Sequence, residues 1–272
     1  MLKLMYITND IDIAKLAQSC GVDRIFVDME YIGKAERQGG MDTVQNHHTV
    51  EDVAKIRCVL NKSELLVRVN PINSGSEKEI NAVIDAGADI VMLPMWKSLQ
   101  EVKEFINIVN GRVKTMLLLE NQNAVAIIDD VLQICGIDEI HIGLNDLHLS
   151  QHKKFLFELL ADGTVEKLAG KILEAGIPFG FGGFGRVGEG MLPAEYIVSE
   201  HYRLGSSISI LSRAFCDSSK ISNYSEMEYI FVKGIKDLRE YETLLEKKDQ
   251  SFFDETHKKL CRCVDEIVGR MN

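Results

Sequence analysis

Eight short apolar runs, each followed by a longer stretch of helical periodicity, limit what this chain can fold into more than any other feature. The runs at 3–8, 24–29, 65–70, 90–94, 113–120, 139–143, 177–181 and 207–211 are predicted as strands. Between them, helical patterns cover 11–19, 50–60, 77–86, 98–109, 123–134, 153–175 and 193–203. Asp10 and Thr49 stand where helix caps are needed, and Asp162 and Gly163 mark a break in the sixth helical stretch. The middle strands are almost continuously apolar, as parallel strands buried on both faces must be. Short loops in strict alternation imply right-handed crossovers. Eight such units in 272 residues favour closure into a (β/α)8 TIM barrel over an open doubly wound α/β sheet.

The barrel is predicted over 1–222, with a C-terminal helical extension over 223–272. The extension shows two apolar stripes, one through Ile230, Phe231, Ile235, Leu238, Tyr241 and Leu245, the other through Phe253, Leu260, Val264 and Ile267. One helix completes the outer ring and the other is surplus. It either caps its own barrel or serves as an arm between subunits, and the expectation leans to a homo-oligomer.

Composition narrows the partners. Hydrophobic residues make up 46% and charged residues 26%, so a core is affordable and disorder is not a sensible reading. A net charge of −10 without a basic block argues against nucleic acid. Asn9 and Asp10 interrupt the N-terminal apolar run, which excludes a signal peptide or membrane span there. The six cysteines are scattered, and the Cys261/Cys263 spacing is not that of a zinc ribbon, so reduced thiols in a cytoplasmic protein are expected.

In a barrel of this kind the active site lies at the carboxyl ends of the strands. Strand two ends in Asp28, Met29 and Glu30; strand three in Arg68, Val69 and Asn70; strand five in Glu120. Strand six runs into Gly143, Leu144, Asn145 and Asp146, and strand seven into a glycine-rich segment with Arg186 beyond it. Glu120 and Asp146 come from neighbouring strands, so their carboxylates can converge on a hard cation such as Mg²⁺ or Mn²⁺. The alternative is that each carboxylate caps the helix that follows it. Arg68 faces the same mouth, where a guanidinium can bind a carboxylate or a developing enolate, or pair with Asp28 or Glu30.

Residues 180–185 satisfy GxGxxG, but no helix starts there, so a nucleotide is not expected. A loop offering amides to an oxyanion is the better reading. His47 and His48 end the long loop after strand two and are candidate bases. His141 sits inside strand six and is read as a packed core residue, while His148 and His152 follow Asp146 toward the surface.

The motifs GVDRIFVDME at 21–30, LLVRVNP at 65–71, IDAGADIVMLPM at 84–95, LLLEN at 117–121 and GIDEIHIGLNDLHLS at 136–150 occur in the order found in one family. Together they resemble the HpcH/HpaI aldolase and citrate lyase family, within the phosphoenolpyruvate/pyruvate-binding barrels. That resemblance implies Glu120 and Asp146 as metal ligands and Arg68 as the contact that steadies a pyruvate enolate. It also implies that the Gly143–Asp146 turn takes the keto-acid carboxylate. Substrate contacts are expected from Glu30, Tyr31, Gly143, Leu144, Asn145 and Arg186. The chain departs from the family pattern at three places. Tyr31 stands where pyruvate aldolases carry a proton-transferring histidine, whose acidic partner corresponds to Asp85. Leu144 replaces a common proline, and the stretch 109–113 is short where a longer loop is usual.

The expected activity is therefore a metal-dependent aldolase or lyase acting on a pyruvate-like 2-keto acid, including a 2-keto-3-deoxy sugar acid. A citrate-lyase-β-like acyl-CoA lyase and a non-catalytic keto-acid-binding barrel are the alternatives. The acidic sequence shows no basic cluster suited to a CoA phosphate.

Overall fold

In the computed structural model, which describes residues 1–33, 48–221 and 223–271, eight parallel strands pair in sequence order and close on themselves. They are β1 (Lys3–Ile7), β2 (Arg24–Asp28), β3 (Glu64–Arg68), β4 (Ile90–Leu93), β5 (Lys114–Leu119), β6 (Glu139–Ile142), β7 (Phe179–Phe184) and β8 (Ile208–Leu211). The closing pair sets Leu4 of β1 beside Ser209 of β8.

Alternation along each apolar run divides the side chains between two cores. Met5, Phe26, Leu66, Ile90, Met92, Met116, Leu118 and Ile208 fill the barrel interior. Their chain neighbours, such as Ile25, Val27, Leu65, Val67, Leu117 and Leu119, pack outward under the helices. At the amino end the interior is closed by charge. Arg24, fully buried, reaches Glu139 at 2.5 and 2.7 Å and Glu64 at 2.9 Å. These are the first residues of β2, β6 and β3, so the network plugs the end remote from the loops that carry function.

The described helices are α1 (Ile11–Ser19), α2 (Val50–Val59), α3 (Ser76–Asp85), α4 (Leu99–Val109), α5 (Gln122–Ala126), α6 (Ile128–Val131), α7 (Leu144–Ser150), α8 (Glu158–Ala161), α9 (Thr164–Glu174), α10 (Ala194–Arg203), α11 (Tyr224–Leu245) and α12 (Gln250–Arg270). Asp10 caps α1 through the amides of Asp12 and Ile13, and Thr49 with Asp52 forms a capping box on α2.

Three expectations change. The helix predicted over 123–134 is divided at Ile127, whose backbone (φ −111, ψ 10) leaves the helical region. The stretch after β6 folds at once into α7, and His152 in the left-handed region (φ 57) turns the chain toward α8. Gly163, also left-handed, separates α8 from α9 where the break was predicted. Third, β7 runs through the glycines to Phe184 rather than ending before them. A Cβ on Gly180 would lie 2.2 Å from the Ile208 carbonyl oxygen, so the glycine lets β7 and β8 approach.

The tail packs on its own barrel. In α11, Phe231 meets Tyr6 edge-on at 5.0 Å, and buried Glu242 accepts the Leu2 amide at 2.6 Å. Helix α12 buries Leu260, Val264 and Ile267 against α10 and α8 of the same chain. Of the two arrangements expected for this stripe, Leu260, Val264 and Ile267 take the self-capping one, while Phe253 stays half-buried. Among the described residues, no helix is long and apolar enough to cross a membrane.

Candidate active site

A cavity of about 600 Å³ opens at the carboxyl ends of the strands. Asp28, Arg68, Glu120 and the Gly143–Asp146 segment line one side. Asn9, Asp10, Ser212, Arg213, Ser218 and Ser219, from the β1 and β8 loops, line the other.

Each charged group is held by local structure. Arg68, the last residue of β3, donates Nε and Nη2 to the two Asp28 oxygens at 2.8 Å each, and Nη1 lies 3.3 Å from Glu30. Its guanidinium also sits 5.6 Å from the Phe26 ring centre. Asp28 and Glu30 are both buried, so the pairing predicted as an alternative for Arg68 exists and fixes the fork at the cavity wall. Burial works against the arginine's charge, but Asp28 and Glu30 outweigh it and keep the group firmly protonated.

Glu120 follows β5 directly. It is not a helix cap: Asn121 takes that task, accepting the Ala124 amide at 3.0 Å. The Glu120 carboxylate instead accepts the Met95 amide at 3.0 Å. Met95 adopts a left-handed backbone (φ 51), a strained conformation for a non-glycine residue, which presents this amide to Glu120. Burial, then Asp146, then Glu30 raise the Glu120 pKa well above the usual carboxyl range, against the opposing pull of Arg68. Glu120 and Asp146 thus sense each other across one cavity. Asp146 lies in the first turn of α7, whose N-cap Gly143 brings no capping side chain. The Leu144–Asp146 amides therefore begin a helix at the cavity wall.

His48 does reach the cavity. Its Nδ1 accepts the Asp28 amide at 3.0 Å, which places the proton of the neutral ring on Nε2. With Nδ1 engaged in this way, it is not the nitrogen that could serve the base role expected for His48. His47 lies outside the described residues.

Three other predicted site residues are not among those lining the cavity. Asp85 is exposed at the end of α3, where the chain returns to the start of β4, so it stands at the opposite end of the barrel. The Tyr31 side chain is 63% exposed, and its backbone amide donates to Asn70 at 3.0 Å. Arg186 pairs with Glu189 at 2.5 Å and packs beside Gly234 of α11, because β7 carries the chain past the cavity before that arginine is reached. Reading the strand ends alone missed the β1 and β8 rim. Asn9 and Asp10 stand two and three residues beyond β1, and Arg213 two residues beyond β8, so the same rule applied to those strands would have found them.

A model of the HpcH/HpaI aldolase/citrate lyase family matches residues 4–154, more than half of the chain and the part that carries both carboxylates and Arg68. The chain belongs to this family. Its place is among lyases and aldolases. Solved structures of similar fold include an HpcH/HpaI aldolase/citrate lyase family protein from Burkholderia cenocepacia J2315. It shares 16% identity and has a TM-score of 0.62, with 89% of this chain and 94% of that one covered. An HpcH/HpaI aldolase from Desulfitobacterium hafniense DCB-2 gives 16% identity and a TM-score of 0.60, covering 88% and 93%. Macrophomate synthase gives 15% and 0.56, covering 78% and 77%. No curated protein matches the sequence.

Proposed function

We propose that this cavity binds a pyruvate-like 2-keto acid together with Mg²⁺ or Mn²⁺ and enolises it for aldol addition or retro-aldol cleavage. The observation that supports this most is that Glu120 and Asp146 line one cavity, near enough for the Asp146 charge to raise the Glu120 pKa, while Arg68 beside them is already paired with Asp28 and Glu30. A buried carboxylate left beside another carboxylate is costly unless a cation or a proton joins it. Oxygen donors suit a hard dication, and no cysteine or histidine stands in the pair. Among the described residues, no three His, Cys, Asp or Glu gather as a closed metal site. Two carboxylates that leave positions for the keto acid and water fit an open, catalytic arrangement better than a structural one. The donor set therefore fits the ion.

Such an ion, when bound, acts as a Lewis acid on the keto group and makes the neighbouring C–H protons acidic. The chain's own groups do the rest. The Leu144–Asp146 amides at the start of α7 bind the keto-acid carboxylate. Arg68, rigidly forked onto Asp28, directs its remaining N–H bonds to the enolate oxygen, where charge develops. Phe26, Met92, Leu118 and Ile210 keep the inner end apolar and limit water.

The test is exchange of the pyruvate methyl protons with D₂O, followed by NMR. Exchange that needs Mg²⁺ or Mn²⁺ and stops with EDTA supports the proposal; exchange at the buffer rate under both conditions sinks it.

A further inference from the structure

The inner end of the cavity is built from side chains of the barrel interior: Phe26, Met92, Leu118 and Ile210. His141 is set among them, beside Leu118 in the β5–β6 register and also lining the cavity. It stands two residues before Gly143 and pairs with Leu118, two residues before Glu120, on the interior side of both. Its Nε2 lies 3.1 Å from the Gly182 carbonyl oxygen, which accepts and so fixes the proton on that nitrogen. Nδ1 then carries a lone pair, and it is buried with no hydrogen-bond partner in the protein. An orphaned acceptor of this kind is uncommon and calls for an explanation. Burial, with Arg68 and Arg24 as further contributors, lowers the His141 pKa to about 4, so the ring is neutral at physiological pH. A base so weak gains little by taking a proton. A neutral acceptor in an apolar wall instead suits a neutral donor.

We propose that His141 is a specificity-determining residue, whose Nδ1 accepts a hydrogen bond from a hydroxyl on the carbon chain of the bound 2-keto acid. The site then selects a hydroxylated keto acid over its deoxy counterpart. This rests on the keto-acid reading above and adds to it the class of substituent that the inner end takes. The physical basis is asymmetric. A ligand hydroxyl satisfies an acceptor that has no partner in the protein, whereas a methyl or hydrogen leaves it unpaired.

Pyruvate and 3-hydroxypyruvate differ by one hydroxyl and make the probe pair. Their dissociation constants are measured calorimetrically with Mg²⁺ on the full chain, for the wild type, His141→Phe and His141→Asn. Phenylalanine keeps a ring in the apolar wall without an acceptor, and asparagine restores an oxygen near the Nδ1 position. The wild type is expected to bind 3-hydroxypyruvate about tenfold more tightly than pyruvate. The Phe variant is expected to lose that ratio while holding pyruvate within about twofold, and the Asn variant to recover part of it. In ¹⁵N-histidine-labelled wild type, the Nδ1 resonance of His141 should move on saturation with 3-hydroxypyruvate and stay in place with pyruvate. Equal ratios in the wild type and the Phe variant, or an unmoved Nδ1 signal, overturn the role of His141 and leave the keto-acid site standing. Failure of both keto acids to bind the wild type overturns the site itself, and this inference with it. Should the Phe variant not fold, the Asn variant and the wild-type ¹⁵N signal decide.

Discussion

Gly143 bears directly on whether Glu120 sits where the proposed chemistry needs it. Its backbone (φ −80, ψ 89) is open to any residue, so a methyl group there is resisted by space and not by dihedral strain. A Cβ built on Gly143 falls 2.9 Å from Glu120 Cβ, 3.2 Å from Glu120 Oε2 and 3.2 Å from Leu118 Cδ1. The first distance is shorter than packed carbon atoms sustain, since contacts between them optimise near about 3.5–4.0 Å. Relief therefore requires a shift of roughly 0.6 Å or more, and the Glu120 side chain, which takes two of the three contacts, has to move. Overpacking of this size costs about 1–3 kcal/mol of stability, so Gly143→Ala should fold with a modestly lowered Tm. Misplacing a group by about 1 Å in an active site costs on the order of 10²-fold in rate, and somewhat less is expected here. We predict a loss of about 10–100-fold in metal-dependent exchange of pyruvate protons, together with weaker Mn²⁺ binding followed by water proton relaxation. Gly163→Ala does not serve as a control, because Gly163 is left-handed; Gly170→Ala does, since nothing lies within 4 Å of its added Cβ. Unchanged exchange and unchanged Mn²⁺ affinity in folded Gly143→Ala would show that the position of Glu120 does not matter, and the reasoning would fall.

Other outcomes follow from the same geometry. Glu139→Gln removes the charge of the closest partner of fully buried Arg24, leaving Glu64 as its counter-ion, and should cost about 1–3 kcal/mol in denaturant unfolding. The Arg24→Met, Glu139→Leu double variant should recover most of that loss, and a double variant as unstable as the single one would show that the charges themselves are needed. His48→Asn keeps an oxygen to accept the Asp28 amide, so exchange should stay within about tenfold of wild type. A fall of 10²-fold or more, the usual contribution of a general base, would return the base role to His48.

The barrel was legible because it depends on a pattern spread over the whole chain. Eight continuously apolar runs can be buried on both faces in few ways, and the closed order β1 to β8 is the one that needs no edge. That Glu120, Asp146 and Arg68 line one cavity was legible for a related reason: strand ends point to one place in a barrel, whatever the loops do. The misses lie where tertiary context outweighs local sequence. The glycines of β7 look like a loop until Ile208 is seen pressing on Gly180. The apolar face of α12 looks unpartnered until α10 and α8 are seen beneath it. Asp85 matched a family position by motif, yet the direction of α3 carries it away from the mouth. His141 looked like core, and it is buried; only the cavity reaching down to it, with one nitrogen left unpaired, gives it a further meaning.

The central claim is that Glu120 and Asp146 hold one dication at the keto acid. The most direct measurement is a crystal structure of the protein grown with Mg²⁺ and pyruvate. The account predicts one ion bound by an oxygen of each carboxylate at about 2.1 Å, with water and the two pyruvate oxygens completing an octahedron. The pyruvate carboxylate should lie at the Leu144–Asp146 amides and its keto oxygen within reach of Arg68. An ion bound elsewhere, or pyruvate bound in this cavity with Glu120 and Asp146 both turned from it and no ion between them, would contradict it.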